Sequence, residues 1–435
     1  MKITSLLITL CFTLNNLYAQ DWKVIGEVNL GARVFSDSVS DLLYVYGAFH
    51  LINSSISANG IATWDGNKWA TLDLGVNYDT VPFPRRGTVS SISRTNEGLV
   101  FGGYFEHVGY YQKSKNVALW NTDSLKWETM DWNPDGSIDF VLEQNDTTFV
   151  LGTYDSIGGV AIRGTSYLHQ NQWINMSPPD GAEIPKVLVP YQNSYYLGGN
   201  MNSSIPGVND IARWDGLKFQ PVGTGVDGGF GWVNDMVVYK NELYIGGSFT
   251  IPSGHAGDYI MKWDGQQYHN IGNFDYPITD FKVHKGVLYA SGLFDYYEGV
   301  RTNQIAWYEP DIGWHALSGD DHDVISGFDF YHEELYAYRN YNGKKEVIKY
   351  QKKLPTSIET LLPKKKYSIY PNPSSTTINI KGLLPTDQYL LTDVQGKVLI
   401  SHKTEQLDIS NLNSGIYFIH IHSQHHYQTL KFIKQ

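Results

Sequence analysis

Three aspartates stand near the start of short apolar segments that recur along the chain. We expect these segments to be the innermost strands of small sheets, which would place the carboxylates around the mouth of a central channel. Carboxylates in that position have the chemistry to bind Ca²⁺ or to act as an acid and base pair. An aspartate that is solvated or caps backbone N–H groups is the competing and more common case. The three residues are Asp139, Asp235 and Asp280.

A second set of candidate residues lies in long polar loops, at 50–60, 106–116, 250–259 and 295–304. We expect one face of the molecule to carry these loops and the other face to carry short turns, and function concentrates on elaborated loops. Aromatic rings with polar neighbours suit the binding of a sugar or a peptide. Packing that anchors the loop is the more common role of any single ring. The candidates are His107, Tyr110, Tyr111, Tyr296, Tyr297 and Arg301.

Two further clusters contain metal-ligand residue types without a metal-ligand spacing. The run SGDDHD at 318–323 is as acidic as a Ca²⁺ loop but lacks the regular spacing of one. Four histidines alternate near the C-terminus, where a polar surface is favoured over a metal site. We therefore expect no cofactor, with Ca²⁺ as the one ion left open. The histidines are His420, His422, His425 and His426.

The candidates belong to a unit that repeats along most of the chain. One half of the unit is an apolar segment that ends in glycine, and the other half ends in an aromatic turn such as WDG. A period of roughly 40–55 residues with four short strands, here named a to d, is typical of a propeller. The first half occurs at 43–49, 99–105, 149–154, 195–201, 243–249, 288–294 and 335–341, and the second at 61–69, 117–127, 166–173, 211–219, 260–268 and 305–314.

Residue types within the unit agree with short, closely packed sheets. Paired glycines such as Gly246 and Gly247 let neighbouring sheets approach, because glycine has no Cβ. Tryptophan recurs at one position, as at Trp263, where it fills space between sheets. Asp-Gly pairs, such as the one at 65–66, predict tight hairpin turns rather than metal ligands. The sequence therefore predicts an all-β protein built around a seven-bladed β-propeller.

The seventh unit stops at VIKY, residues 347–350, without its fourth strand. The missing pattern stands at the other end of the chain as DWKVIG, residues 21–26, in which Trp22 takes the place of Trp69 or Tyr268. An unpaired edge strand would leave the ring held by packing alone. We therefore predict that the N-terminal segment completes the last sheet.

Residues 21 to about 350 resemble the kelch and galactose-oxidase-like propellers, and most closely bacterial repeats of the form Gly-Gly-x-Phe followed by Ile-Ala-x-Trp-Asp-Gly-x-x-Trp. The resemblance implies the fold but gives little information about the function. Galactose oxidase uses copper with a cysteine-linked tyrosine, and this chemistry does not transfer because the mature chain has no cysteine. The sialidase Asp box is also not matched.

The first residues have the features of a secretory signal peptide. Lys2 precedes the apolar run ITSLLITLCF and then LYAQ, which predicts cleavage after Ala19. The run is too short to span a membrane, and it contains the only cysteine, Cys11. The predicted organisation is a signal peptide at 1–19, a propeller at 20–350, a linker at 351–367 and a C-terminal domain at 368–435.

The C-terminal residues alternate and are punctuated by turns, which predicts a small immunoglobulin-like β-sandwich. They resemble the type A C-terminal sorting domain of the type IX secretion system of Bacteroidetes. The resemblance implies export across the outer membrane, removal of the domain, and release or attachment at the cell surface, with the secretion machinery as partner. The matching elements are Tyr370-Pro371-Asn372-Pro373, Asp393 with Gly396-Lys397, Leu407 to Ser410, Gly415-Ile416-Tyr417 and Lys434.

Charge is distributed unevenly along the chain, with 22 Lys and Arg against 39 Asp and Glu in residues 21–351 and 10 against 5 in residues 352–435. An acidic main body argues against a nucleic-acid partner.

We expect a secreted or cell-surface binding or adhesion module for a glycan or protein ligand, without a membrane-spanning segment. The alternatives are a polysaccharide-active hydrolase or lyase with its site at the channel mouth, and a purely structural surface component.

Overall fold

A computed structural model describes residues 21–78, 86–176, 185–202, 205–226, 231–250, 257–302, 304–310, 312–317, 324–355, 367–383, 388–393, 398–402, 406–423 and 426–435. These residues form antiparallel strands and no helix, so the protein is all-β. They divide into two compact units, 21–308 with 314–355, and 309–313 with 367–435. The predicted signal peptide lies outside the described residues.

The first unit is built from small sheets in which four strands, a to d, pair in that order from the innermost outward. In sheets 1 to 6 this is also the order of the chain, whereas strand d of sheet 7 comes from the N-terminal segment. In the order a to d, sheet 1 contains Ala32–Asp37, Leu42–Gly47, Ile61–Trp64 and Trp69–Thr71; sheet 2 contains Thr88–Arg94, Leu99–Tyr104, Val117–Asn121 and Lys126–Thr129; and sheet 3 contains Ile138–Gln144, Thr147–Gly152, Thr165–His169 and Gln172–Asn175. Sheet 4 contains Pro185–Tyr191, Ser194–Asn202, Asn209–Trp214 and Phe219–Gln220, and sheet 5 contains Val233–Tyr239, Glu242–Gly247, Ile260–Trp263 and Tyr268–His269. Sheet 6 contains Ile278–His284, Val287–Gly292, Ile305–Glu309 and Gly313–Ala316, and sheet 7 contains Val324–Tyr331, Glu334–Tyr341, Lys344–Tyr350 and Trp22–Val28.

The Asp-Gly pairs form hairpin turns between strands c and d, as predicted. The Asp65 carboxylate accepts the N–H groups of Asn67 and Lys68 at 2.9 and 2.8 Å, while Gly66 has a φ of +93° that favours glycine. At the equivalent turn, backbone N–H groups from Lys218 and Leu217 lower the pKa of Asp215 to about 2. These carboxylates are therefore occupied in holding turns.

The two glycines of each pair have different roles. A Cβ on Gly246 would come within 2.6 Å of Ile278 and Phe281 in the next sheet, so this glycine permits close packing between sheets. A Cβ on Gly247 would come within 2.0 Å of the Trp232 carbonyl oxygen, so this glycine permits strand b to pass the start of its own strand a.

The N-terminal segment completes sheet 7, which confirms the prediction. Strand Trp22–Val28 pairs antiparallel with Lys344–Tyr350, with Trp22 opposite Tyr350. The Trp69 indole N–H donates to the Ile25 carbonyl at 2.9 Å. Trp127 and Tyr268 donate in the same way to carbonyls that follow strand d of the preceding sheet, those of Leu72 and Val222.

Sheet 7 also contacts sheet 1 through its innermost strand, which closes a ring around a channel. The Tyr331 hydroxyl donates to the Asp41 carbonyl at 3.0 Å. Tyr239 makes the equivalent bond to the Gly286 carbonyl between sheets 5 and 6. The junction made by the two chain ends thus repeats the contacts of junctions made by continuous chain.

Short additional strands lie in the b–c loops and at one d–a connection. The loop strands are Leu51–Ile52 with Ile56–Ser57, His107–Val108 with Gln112–Lys113, Ser156–Ile157 with Val160–Ala161, and Tyr296–Tyr297 with Val300–Arg301; Val76–Asn77 pairs with His107–Val108.

The second unit contains two antiparallel sheets that share one apolar core, in which Ile378 and Leu407 of the first sheet join Tyr389, Ile419 and Phe432 of the second. The first sheet contains Ser368–Tyr370, Thr377–Lys381 and Gln406–Asp408, and the second contains Val398–His402, Gln388–Thr392, Gly415–Ser423 and His426–Lys434.

Candidate functional site

The innermost strands of sheets 2 to 7 contain a β-bulge near their start, whereas sheet 1 is paired regularly there. A bulge places an extra residue in one strand and re-aims its side chain. The bulged residues are Ser90, Asp139, Lys186, Asn234, Thr279 and, in sheet 7, Ser326 with Gly327.

A cavity of about 590 Å³ occupies the mouth of the channel, at the end where the a strands begin. Strands a and b are antiparallel, so this is also the end from which the b–c loops extend. Each of the seven innermost strands contributes to the lining. We name this set the mouth residues: Arg33, Ser90, Asp139, Lys186, Asn234, Thr279 and Ser326.

Asp139 is the only carboxylate among the described residues that line the mouth cavity. It is exposed to the cavity and accepts a hydrogen bond from the Ser137 hydroxyl at 3.1 Å. Loss of hydration raises the pKa of Asp139, and the Ser137 hydrogen bond and the charge of Lys186 oppose this rise. Its carboxylate lies where a ligand in the cavity can reach it.

Lys186 and Trp232 form a rim feature that the sequence analysis missed. The Lys186 Nζ lies 4.8 Å from the centroid of the Trp232 ring, within cation–π distance, and the Trp232 side chain is 37% exposed. Lys186 is the second residue of its strand a, as Asp139 is. An alignment of the repeats on the second residue of strand a, rather than on acidic residues, would have predicted that Lys186 and Asp139 line the same cavity.

Asp235 and Asp280 do not line the mouth cavity, because each lies one residue beyond the bulge. The Asp235 carboxylate accepts the N–H of Phe281 in sheet 6 at 2.7 Å. Asp280 accepts the N–H of Phe328 in sheet 7 at 3.4 Å. Both therefore connect neighbouring sheets deeper in the channel, unlike Asp139, and this difference separates residues that the sequence analysis had placed together.

Asp329 continues this series across the junction between the two ends of the ring. Its carboxylate accepts the N–H of Ser36 in sheet 1 at 2.9 Å and lies 3.8 Å from the Lys282 Nζ. We name Asp235, Asp280, Lys282 and Asp329 the shaft residues.

Two shaft groups, Asp235 and Lys282, have pKa values that are raised by neighbouring charges. Loss of hydration, followed by the negative charge of Asp280, raises the pKa of Asp235 well above its ordinary value. The Asp329 carboxylate raises the pKa of Lys282. The Asp235 carboxyl group therefore retains a proton more readily than an isolated carboxyl group would.

Arg33 lies between the mouth and the shaft. Its side chain lines the cavity and is exposed to it, while Tyr46, Asp280 and Asp235 raise its pKa against the opposing effect of burial. A Cβ on Gly327, whose φ is +85°, would lie 3.3 Å from the Arg33 side chain. The missing side chain at Gly327 thus leaves room for the guanidinium beside sheet 7.

The loop tyrosines occupy two separate places. Tyr110 and Tyr111 lie at the turn of the sheet 2 hairpin and are 76% and 45% exposed. Tyr296, in the sheet 6 hairpin, is 44% exposed. The neighbouring Tyr297 instead packs against Phe274, with ring centroids 5.1 Å apart. The exposed rings therefore do not converge on one point, because sheets 2 and 6 are not neighbours.

The two remaining loop candidates are partly enclosed. His107 is half-buried and pairs with Asn77 and Lys113 in the small sheet beside sheet 2. Arg301 is half-buried and pairs with Tyr296. Both hold their hairpins in place, and their contact with a ligand stays a prediction.

Other predicted clusters fall elsewhere. The run at 318–323 lies outside the described residues, as does His425, and the structure describes no side chain for the other three C-terminal histidines. Within the described ranges, no group of three or more His, Cys, Asp or Glu side chains is arranged to hold a metal ion. The part of the chain that the structure describes also has no helix long and apolar enough to cross a membrane.

A second cavity, of about 660 Å³, lies between sheets 2 and 3, and its lining includes both the a–b turn at 95–97 and the b–c loop residue Gly158. No Lys or Arg side chain is among its described lining residues, in contrast to the mouth. Loss of hydration raises the pKa of Glu143, and the charges of Glu97 and Asp146 add to the rise. The acidic lining residues are Glu97, Glu128, Asp131, Glu143 and Asp146.

Comparison with solved structures gives distant matches. The chain is 12% identical to PorZ of Porphyromonas gingivalis, described as an essential surface component of the type IX secretion system, with a TM-score of 0.46 over 93% of this chain and 59% of that one. It is 10% identical to the extracellular domain of a hybrid two-component system from B. thetaiotaomicron, with a TM-score of 0.46 over 95% and 57% of the two chains.

A third match is the acylaminoacyl peptidase of Pyrococcus horikoshii, at 12% identity and a TM-score of 0.44 over 81% and 58% of the chains. The chain thus spans less than two thirds of each of these proteins. At these scores the matches carry no inference about function. No curated protein matches the chain.

The family comparison concerns the C-terminal residues. Residues 368–435 match the model of the secretion system C-terminal sorting domain. These residues include the strands of the second unit's two sheets. The sorting tail indicates that this protein is exported to the cell surface or secreted.

Proposed function

We propose that the first unit is a seven-bladed β-propeller of the kelch-like kind that binds a glycan or protein ligand at the cell surface or in the medium. In this proposal the second unit is an immunoglobulin-like tail that the type IX secretion machinery recognises. The observation that carries the proposal is the mouth cavity, to which every innermost strand contributes a residue. Ligand sites are concave and combine convergent polar groups with apolar surface.

Three features support binding at this end of the ring. The b–c hairpins extend from it, and loops on a rigid scaffold are where binding residues concentrate. Trp232 presents an exposed ring at the rim. The bulges aim polar side chains into the channel in place of the regular ladder.

Binding is favoured over catalysis by the disposition of the carboxyl groups. A hydrolase that acts on sugars uses two carboxyl groups that face the same substrate. Of the carboxyl groups that the structure describes, only that of Asp139 lines the mouth cavity, while Asp235 and Asp280 accept backbone N–H groups from neighbouring sheets. We therefore place the enzyme alternative second.

The test is a glycan and peptide array with the full secreted chain, followed by calorimetry on the best ligand. We expect Trp232→Ala, at the rim, to weaken binding by roughly 1–3 kcal/mol. Asn67→Ala and Lys218→Met, in c–d turns at the other end of the ring, are the matched controls and should have no effect. Binding that is lost in the turn variants and retained in Trp232→Ala would contradict the proposal.

A further inference from the structure

The mouth cavity has a charge opposite in sign to the net charge of the chain. The sequence has a net charge of −11, yet the described lining of the cavity contains two cationic side chains, Arg33 and Lys186, and one carboxylate, Asp139. The acidic cavity between sheets 2 and 3 shows that this sign is not a general property of cavities in this molecule. A local excess of positive charge in a concave site attracts an anionic group.

The two cations approach the cavity from well-separated sheets. Arg33 belongs to sheet 1 and Lys186 to sheet 4, and two sheets separate them on one side of the ring and three on the other. No carboxylate lies within ion-pair distance of Lys186 among the described residues. Its ammonium is held over the Trp232 ring instead.

Arg33 is held in place by its surroundings. The Tyr46 side chain lies close enough to raise the pKa of Arg33, and the glycine at position 327 leaves room for the Arg33 side chain, as a Cβ there would lie 3.3 Å away. A guanidinium that is positioned in advance loses little entropy when it binds a carboxylate through two parallel hydrogen bonds.

We propose that the mouth binds an acidic glycan, with a uronate carboxylate between Arg33 and Lys186 and a sugar ring against Trp232. The neutral polar residues of the lining, Ser90, Asn234, Thr279 and Ser326, supply hydroxyl and amide groups that match sugar hydroxyls. Tryptophan offers a large apolar face for the ring. This inference rests on the proposed binding function and specifies its ligand class.

The experiment is calorimetry of the full secreted chain with oligogalacturonate, oligoalginate and hyaluronan oligosaccharides. Each is paired with its carboxyl-reduced form, which has the same linkages and no charge. We expect at least one acidic probe to bind at least tenfold more tightly than its reduced form, with an affinity that falls as NaCl rises.

The variants separate charge from fold. Lys186→Met should weaken binding of the acidic probe at least tenfold and leave the melting temperature unchanged, because Lys186 is exposed and outside the shaft. Arg33→Gln should weaken binding similarly, and Arg33→Lys should restore part of it. Asp139→Asn should strengthen binding, because it removes a competing negative charge, and Lys218→Met should change nothing.

Three outcomes would overturn the inference. The first is equal affinity for acidic and reduced probes, and the second is unchanged affinity in Lys186→Met. The third is the absence of binding to all three acidic probes. If a neutral glycan or a peptide then binds and Trp232→Ala weakens it, the proposed binding function stands and only the acidic ligand class is wrong.

Discussion

The mouth and the shaft are built from the same innermost strands, yet they use their polar residues differently. In the shaft, the carboxylates of Asp235 and Asp329 accept hydrogen bonds from backbone N–H groups of the next sheet. In the mouth, one residue before the shaft level, Asp139 and Lys186 face the cavity. A β-bulge between the two levels changes the direction of one side chain without changing the sheet. A displacement of one residue therefore separates groups that hold the ring from groups that are free for a ligand.

The mouth and the shaft exist only if the ring of sheets is closed. Loss of ring closure should therefore have the largest effect on the free energy of unfolding. Deleting residues 20–27 removes the buried Trp22 and most of the strand that pairs with Lys344–Tyr350. We expect a loss of at least about 5 kcal/mol of unfolding free energy, together with aggregation from the exposed edge. Differential scanning calorimetry and light scattering measure both. An unchanged melting temperature and solubility would show that the strand does not close the ring.

The shaft should respond strongly to loss of a single carboxylate. Asp329→Ala leaves the Ser36 N–H without its acceptor and the Lys282 ammonium without its nearest carboxylate. We expect a loss of about 2–4 kcal/mol in urea unfolding. Asp329→Asn is the matched variant and should recover part of this loss, because its amide oxygen still accepts the N–H bond. A loss below about 0.5 kcal/mol would remove the distinction between the shaft and the mouth.

The loop tyrosines test whether binding extends beyond the mouth. If the sheet 2 hairpin also contacts the ligand, changing both Tyr110 and Tyr111 to Ala should weaken binding by roughly 1–3 kcal/mol. Folding stability should stay nearly constant, because both rings are exposed. Calorimetric affinity and thermal unfolding of the double variant separate these effects. A neutral result would confine the site to the mouth.

The shaft should also make stability fall as pH rises above the ordinary range of a carboxyl group. A carboxyl group whose pKa is raised by folding stabilises the folded state below its unfolded pKa. That contribution is lost as pH rises through the folded pKa, which loss of hydration and the charge of Asp280 raise at Asp235. The charges of Arg33 and Lys282 oppose the loss. We expect a decrease of less than about 1.4 kcal/mol per pH unit. Urea unfolding at several pH values should show this slope in the wild type and a smaller slope in Asp235→Asn.

The mouth gives the smallest expected effect on stability. Asp139→Ala removes an exposed carboxylate that accepts a hydrogen bond from the Ser137 hydroxyl, so the free energy of unfolding should change by less than about 0.5 kcal/mol. Thermal unfolding of this variant beside Asp329→Ala gives the direct contrast. A loss as large as that of Asp329→Ala would mean that the two levels share one structural role.

Much of the framework was predictable because its signals are local. The Asp65–Gly66 turn follows from a side chain that bonds its own backbone and a glycine with positive φ. The pairing of Trp22 with Tyr350 followed from a missing strand pattern at one end of the chain and a surplus one at the other. The Trp232 rim and the Arg33 position were missed, because neither residue belongs to a recognisable local motif.

What the sequence by itself determined is the repeat, the strand and turn types, the closing segment and the export tail, since each depends on residues close together in the chain or on a pattern that recurs. Only the tertiary structure decided that Asp139 faces a cavity while Asp235 and Asp280 hold the ring. The reason is physical. The side-chain direction in a strand alternates with every residue, so a single bulged residue changes which of the neighbouring side chains face the cavity. The partners that give these residues their roles come from sheets far away in the chain, as Arg33 meets Gly327 and Asp280 only when the ring is closed.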